Sequence, residues 1–203
     1  TALGLVGNLV AWKLDFDLRP ALKAASENLP IEASLESQDE CLNFIIERLR
    51  NVLLDDSYRY DIIEAIVAEQ GFNPAKTIQA VNQLTTWVER DDWDAILPAY
   101  SRCVRITRTL DEQFKVNPDK LSAPAAKDLF AALEEAEFAA RTPGSVNDFL
   151  NAFLPMIPAI DRFFEEVLVM DEDPEKRQNL LGLLQRIANL ANGVADMSKL
   201  EGF

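Results

Sequence analysis

Apolar residues recur along this chain at the three-and-four spacing of one helix face, and no stretch alternates long enough to make a sheet. Ser37 and Glu40 have the spacing of a capping box, so they predict the start of a helix. The apolar stripe that follows it comprises Leu42, Ile45, Ile46, Leu49, Val52 and Leu53. A second amphipathic segment begins at Asp61, and Gly71 is placed to end it in a left-handed conformation. The pattern predicts an all-α fold.

Prolines and glycines divide the rest of the chain into further predicted helices. Their ranges are 74–88, 93–117, 124–140, 148–169 and 173–190. Pro155 and Pro158 fall inside the fourth range, and because proline breaks helical hydrogen bonding we expect that helix to be bent or divided. Asp173 and Pro174 supply a cap and a first-turn proline for the last helix, which Asn192-Gly193 closes.

The weakest helical pattern lies between residues 14 and 38, where Pro20, Pro30 and scattered polar residues interrupt it. Only residues 20–27 predict a short helix there. We therefore expect residues 1–36 to be the end of a preceding helical domain plus a linker, and residues 37–203 to form the main helical bundle. Thr1 lies within a helix-like pattern and no initiator methionine precedes it, which indicates a piece of a longer protein.

Composition removes most kinds of catalytic site. The 203 residues include no histidine, so neither imidazole general bases nor histidine-containing zinc sites are available. Cys41 and Cys103 are expected to be two reduced, buried thiols, as in a cytoplasmic protein. No glycine-rich loop is present to hold phosphates, and no apolar run reaches the roughly 18 residues that a membrane helix needs. The net charge of −14 argues against general attraction to nucleic acids.

One segment departs from this acidic background. Residues 95–110 contain no aspartate or glutamate, but they include Arg102, Arg105 and Arg108. On a helix these arginines share one side, while Cys103, Ile106 and Leu110 point to the other. Guanidinium groups donate paired hydrogen bonds to phosphate and stack on unpaired bases, so the segment is a candidate RNA contact. The alternative is that these arginines form ion pairs with carboxylates of neighbouring helices.

Several segments, taken together, resemble the glycyl-tRNA synthetase beta subunit family. Residues 163–170 (FFEEVLVM), the acidic residues 171–173 and the ending 195–203 (ADMSKLEGF) look like the end of that subunit. Residues 1–6 resemble the end of the domain before its anticodon-binding module, and residues 44–50 (FIIERLR) resemble the opening helix of that module. The resemblance spans nearly the whole chain, although any one of these helices would be weak evidence alone.

The resemblance implies an all-α helical bundle like the anticodon-binding domains of arginyl- and cysteinyl-tRNA synthetases. It implies recognition of the anticodon arm of tRNA(Gly) as part of glycine-tRNA ligase, in the cytoplasm, by a chain that is not itself catalytic. ATP and magnesium would be used by a separate alpha subunit in an assembly of two alpha and two beta subunits. We expect no cofactor bound by this chain, and neither membrane nor DNA as a partner.

The resemblance also guides the choice of site residues. The equivalent family helix commonly contains a Lys-Arg pair followed by Asn-Ile, where this chain has Ser101-Arg102 and then Arg105-Ile106. The tRNA-binding candidates are therefore Arg102, Arg105 and Arg108 first, then Lys115, with a secondary surface at Arg48 and Arg50. The competing hypothesis is an acidic helical protein-interaction module with no RNA contact. An independent hydrolase has little support, since no activated nucleophile is visible.

Overall fold

A computed structural model describes all 203 residues, and it contains helices without any strand. Ten α-helices follow one another along the chain: α1 (Ala2–Ala11), α2 (Leu18–Ser26), α3 (Leu35–Asp55), α4 (Tyr60–Gln70), α5 (Pro74–Val88), α6 (Trp93–Thr107), α7 (Pro124–Phe138), α8 (Val146–Phe153), α9 (Ile157–Glu166) and α10 (Pro174–Ala188). Four short 3-10 helices lie at Pro118–Lys120, Leu154–Met156, Asn189–Ala191 and Met197–Lys199. The predicted all-α fold is confirmed.

The chain forms two compact units, neither of which is one continuous segment. The first unit contains Thr1–Val88 and Gly193–Leu200, and the second contains Glu89–Asn192 and Glu201–Phe203. The predicted boundary after residue 36 lies inside the first unit and not between the two units. The division into 1–36 and 37–203 stays a prediction about domain organisation, but in this structure residues 1–36 pack with α3 and α5 inside the first unit.

In the first unit, α1 to α5 enclose an aliphatic core. It is built from residues such as Val6 of α1, Leu49 of α3, Ile66 of α4 and Leu84 of α5, all of them inaccessible to solvent. Residues 193–200 are held against α4 by hydrogen bonds. The Gln70 side-chain amide donates to the carbonyl oxygen of Val194 at 2.7 Å, and the amide of Asp196 donates to the carbonyl oxygen of Ala65 at 2.8 Å.

Two sequence predictions in the first unit were wrong. Helix α3 begins at Leu35, because the Ser34 hydroxyl caps it by accepting from the Ser37 amide at 3.1 Å. Gly71 has a φ of −55°, so it is not left-handed. Gly71 is instead closely surrounded by other atoms. A Cβ on this residue would lie 2.8 Å from the carbonyl oxygen of Val67 and 3.3 Å from Ile46 Cδ1. Glycine is needed at this position for space.

In the second unit, α10 is the central helix and packs mainly on α6, while α7 packs on α8 and α9. Every residue of α10 from Asn179 to Gln185 is buried. As predicted, Asp173 caps this helix through the amides of Glu175 and Lys176, and the proline-containing region is divided into α8, a 3-10 turn and α9. The largest error in a predicted helix boundary concerns α6, which ends at Thr107 and not at residue 117.

The two cysteines differ in environment, so the prediction that both are buried was wrong for Cys41. It lies exposed in the first turns of α3, ahead of Ile45, the first buried residue of that helix. Cys103 is fully buried, and that burial raises the pKa of its thiol to about 12.

This difference predicts a simple labelling result. At pH 8, DTNB should react with one thiol of the folded chain and with two in denaturant, because only a thiolate that solvent reaches attacks the reagent. Cys41→Ser should abolish the reaction of the folded chain, and Cys103→Ser should leave it unchanged. Two fast-reacting thiols in the native protein would contradict the burial of Cys103.

Candidate nucleic-acid interface

Helix α6 carries the three arginines that the sequence singled out, and its other side anchors it in the second unit. Ile96, Ala99 and Cys103 on that side are inaccessible to solvent. Tyr100 adds a polar anchor, because its hydroxyl donates to the carbonyl oxygen of Ala188, the last residue of α10, at 2.7 Å. The helix is therefore fixed, and positions 102, 105 and 108 are left toward solvent.

Arg102 is partly exposed, but it already has an acidic partner. Its guanidinium forms an ion pair with Asp161 of α9, and its side chain is 41% exposed. The ring of Phe164, also on α9, lies 5.3 Å from the guanidinium carbon. The Nε atom is buried and has no hydrogen-bond partner. Asp161 largely neutralises this arginine, so the ion-pair alternative from the sequence describes it well.

Arg105 and Arg108 have no such neutralisation. Both are exposed, and neither forms an ion pair with a carboxylate. The guanidinium carbon of Arg105 lies 5.7 Å from the centre of the Phe203 ring. Arg108 is the C-cap of α6, where its amide donates to the carbonyl oxygen of Val104 at 2.8 Å. These two arginines, which we call the α6 cationic pair, keep their positive charge open to solvent.

The C-terminal end of α6, which carries these arginines, continues into an irregular segment. Two side-chain amides of α10 hold this segment. Gln185 accepts from the amide of Phe114 at 2.9 Å and donates to the carbonyl oxygen of Glu112 at 2.8 Å. Asn179 accepts from the amide of Asn117 at 2.6 Å and donates to its carbonyl oxygen at 3.0 Å. We call residues 112–117 the clamped segment. Its backbone amides and carbonyls bond to side-chain amides of α10, much as a strand bonds to a neighbouring strand, although no sheet is present.

Lys115 is an exposed residue of the clamped segment. Gly182 lies between the two amides on α10, and a Cβ there would meet the carbonyl oxygen of Phe114 at 2.8 Å. The absence of a side chain at Gly182 lets the backbone of the clamped segment lie directly on the helix. The position of Lys115 thus depends on three residues of α10 that the sequence analysis did not select.

The secondary candidates, Arg48 and Arg50, belong to the first unit. Arg50 forms ion pairs with Glu47 and Glu64, and its Nε donates to the Glu64 carboxylate at 2.7 Å. Arg48 lies over the ring of Phe44, with 3.4 Å between the guanidinium carbon and the ring centre. Arg50 is therefore committed to internal ion pairs, and these two residues form no continuous patch with the α6 cationic pair within one unit.

No group of three or more Cys, Asp or Glu side chains is arranged to hold a metal ion, and no helix combines the length and apolarity needed to cross a membrane. What sequence reasoning missed at the arginines was their aromatic neighbours, Phe164 and Phe203. The only sequence signal for the clamped segment was the pair of amides, Asn179 and Gln185, on either side of the apolar stretch 180–184.

The bundle that α10 organises, with arginines on one outer helix, falls within the class of all-helical anticodon-binding domains. Residues 96–197 match the family described as the DALR anticodon binding domain. The match covers half of the chain and extends from α6 through α10. The chain belongs to this family.

Curated relatives point to one group of proteins within that class. The chain is 32% identical to the glycine–tRNA ligase beta subunit of Moorella thermoacetica over 98% of its own length, which is 30% of that protein. It is 30% identical to the same subunit of Syntrophomonas wolfei, again over 98% of the chain. It is 28% identical to a chloroplastic/mitochondrial glycine–tRNA ligase of Arabidopsis thaliana, of which it spans 19%. The chain thus spans less than a third of the length of these relatives.

Proposed function

We propose that this chain binds the anticodon arm of tRNA(Gly) as part of a glycine–tRNA ligase beta subunit, and that it supplies recognition and not catalysis. The observation that carries the proposal is the α6 cationic pair: two exposed, unpaired guanidiniums lie in an acid-free stretch of the part of the chain that matches the anticodon-binding family. In an anticodon loop the bases are unstacked enough to contact protein side chains, and the phosphates accept guanidinium hydrogen bonds.

The rest of the enzyme enters this proposal only through the resemblance to the beta-subunit family described in the sequence analysis. Activation of glycine with ATP and magnesium would belong to an alpha subunit, in an assembly of two alpha and two beta subunits in the cytoplasm. This chain itself contains neither a phosphate-cradling glycine loop nor a histidine. No cofactor is proposed for the chain itself.

The test of the proposal is a double variant, Arg105→Ala with Arg108→Ala, titrated with tRNA(Gly) at several stated salt concentrations. Each lost phosphate contact on a single strand lowers the slope of log K against log salt by about 0.7, so the double variant should lose about 1.4. The same relation gives an affinity loss of about 25-fold at 0.1 M salt. Filter binding or fluorescence anisotropy measures both quantities.

The matched control removes the same charge elsewhere on the second unit. Lys127→Ala with Arg162→Ala also deletes two cations, but Arg162 is already paired with Asp128 and Glu166. This control should bind tRNA(Gly) within about threefold of the unchanged chain, since neither residue lies on α6 and carboxylates already occupy the Arg162 guanidinium. Equal losses in both double variants would show a general charge effect and would exclude α6 as the contact.

The competing function is an acidic protein-interaction module, which the net charge of −14 and the ion pairs of Arg50 and Arg102 favour. A titration of the unchanged chain with tRNA(Gly) and with a non-cognate tRNA at one salt concentration separates the two. Tighter binding of tRNA(Gly) supports anticodon recognition. Absent or equal binding would make the interaction module the better account.

A further inference from the structure

From the geometry around Arg105 we infer that Phe203 and Arg105 together form a stacking platform for one unpaired RNA base. The inference rests on the proposed function and adds to it a residue, Phe203, that lies outside the 96–197 range of the family match. It also specifies the ligand chemistry: the flat face of a nucleobase, bound by stacking and not by hydrogen bonds to its edge.

The backbone at the end of the chain is shaped to bring Phe203 to α6. Gly202 has a φ of +89°, a conformation that residues with a side chain rarely adopt. A Cβ on Gly202 would lie 3.9 Å from Leu97 Cδ2, so this turn runs beside α6. Leu97, which is buried, and Arg105, which is exposed, lie about two helical turns apart along α6. The turn at Gly202 therefore lets residue 203 reach the guanidinium.

The contact between ring and cation leaves both groups with accessible surface. Phe203 is partly exposed and Arg105 is exposed, with 5.7 Å between the guanidinium carbon and the ring centre. Single-strand-binding proteins combine positive charge with aromatic rings on which bases stack, and arginine adds a cation–π contribution. An aromatic ring and an unpaired guanidinium held side by side have this combination.

Comparison with the neighbouring pair explains why the platform is assigned here. Arg102, one turn earlier on α6, also lies beside a ring, that of Phe164, but Asp161 neutralises it. Arg186 lies 5.2 Å from the Phe130 ring centre and is likewise paired, with Glu137. Among these three pairs of the second unit, only Arg105 and Phe203 combine a ring with a guanidinium that forms no ion pair with an aspartate or glutamate.

The experiment uses the full 203-residue chain and an anticodon-stem-loop hairpin of tRNA(Gly) with 2-aminopurine at single loop positions, whose fluorescence falls on stacking. Phe203→Leu keeps an apolar side chain without the ring, and it should weaken hairpin binding about tenfold, within the range for one stacked base. The slope of log K against log salt should stay unchanged, because the ring has no charge. Quenching at one loop position should disappear, and Phe203→Trp should restore it.

Two further variants keep the outcome decisive. Arg105→Gln should lower both the affinity and the salt slope, the latter by about 0.7. Phe130→Leu, which removes the ring beside the neutralised Arg186, should bind as the unchanged chain does, and circular dichroism melts check that each variant is folded. Unaltered binding and quenching in folded Phe203→Leu would overturn the platform while leaving anticodon binding intact. Failure of the unchanged chain to bind the hairpin would overturn both.

Discussion

Phe153→Ala should lower the free energy of unfolding by about 3–5 kcal/mol, the usual cost of removing a fully buried aromatic side chain. Phe153 is inaccessible to solvent. Its ring lies edge-on to Tyr100 with 5.7 Å between ring centres, and it is 6.2 Å from Phe149. Alanine would leave a cavity under α6 and remove support from Tyr100, the residue that hydrogen-bonds that helix to α10.

Urea unfolding of the full chain, followed by circular dichroism, measures this loss, and hydrogen exchange of peptides from α6 and α8 locates it in the second unit. Phe138→Ala is the matched control, because that ring is 86% exposed on α7 of the same unit. The control should change the unfolding free energy by less than about 0.5 kcal/mol. A loss below about 1.5 kcal/mol in Phe153→Ala would count against the aromatic core described here.

Gly182→Ala is the second substitution with a large expected effect, and it should cost about 2–3 kcal/mol. The new Cβ would lie 2.8 Å from the carbonyl oxygen of Phe114 and 3.2 Å from its Cβ, so the backbone of the clamped segment must move. Overpacking of this kind costs about 1–3 kcal/mol, and disturbed hydrogen bonds to Asn179 and Gln185 add to it. The better helix propensity of alanine recovers less than about 1 kcal/mol.

Gly7→Ala provides the comparison for Gly182→Ala, since Gly7 also lies within a helix, α1, but a Cβ there meets nothing within 4 Å. Alanine should therefore stabilise the chain by about 0.5–1 kcal/mol through helix propensity alone. The two glycine variants are predicted to shift the urea midpoint in opposite directions. If both raise the midpoint, the clamped segment does not lie against α10 as described.

The helices of this chain could be predicted from the sequence because their signals are local. Pro155 and Pro158 remove amide donors from successive turns, so the division between α8 and α9 follows from residue type alone. The end of α6 was predicted ten residues too late, because no proline or glycine occurs between Thr107 and Asn117. Beyond the turn that follows Thr107, a tertiary contact holds the chain outside the helix, namely the pairing of the clamped segment with two amides on α10.

The site was only partly predictable for the same reason. The acid-free run at residues 95–110 identified the three arginines, but it does not distinguish Arg102 from Arg105. The distinction depends on Asp161, which is 59 residues further along the chain from Arg102. The neighbour of Arg105, Phe203, is separated from it by almost half of the sequence. Contacts over such separations are set by packing, and no periodicity along the chain encodes them.

The return of residues 193–200 to the first unit limits how this protein can be dissected. A fragment ending at residue 88 would contain five helices but would lack the buried side chains of Ala195, Met197 and Leu200. It would also leave the Gln70 amide without the carbonyl acceptor of Val194. A fragment for domain mapping should therefore keep residues 193–200 together with residues 1–88, because a simple deletion would expose the face of α4 that residues 193–200 cover.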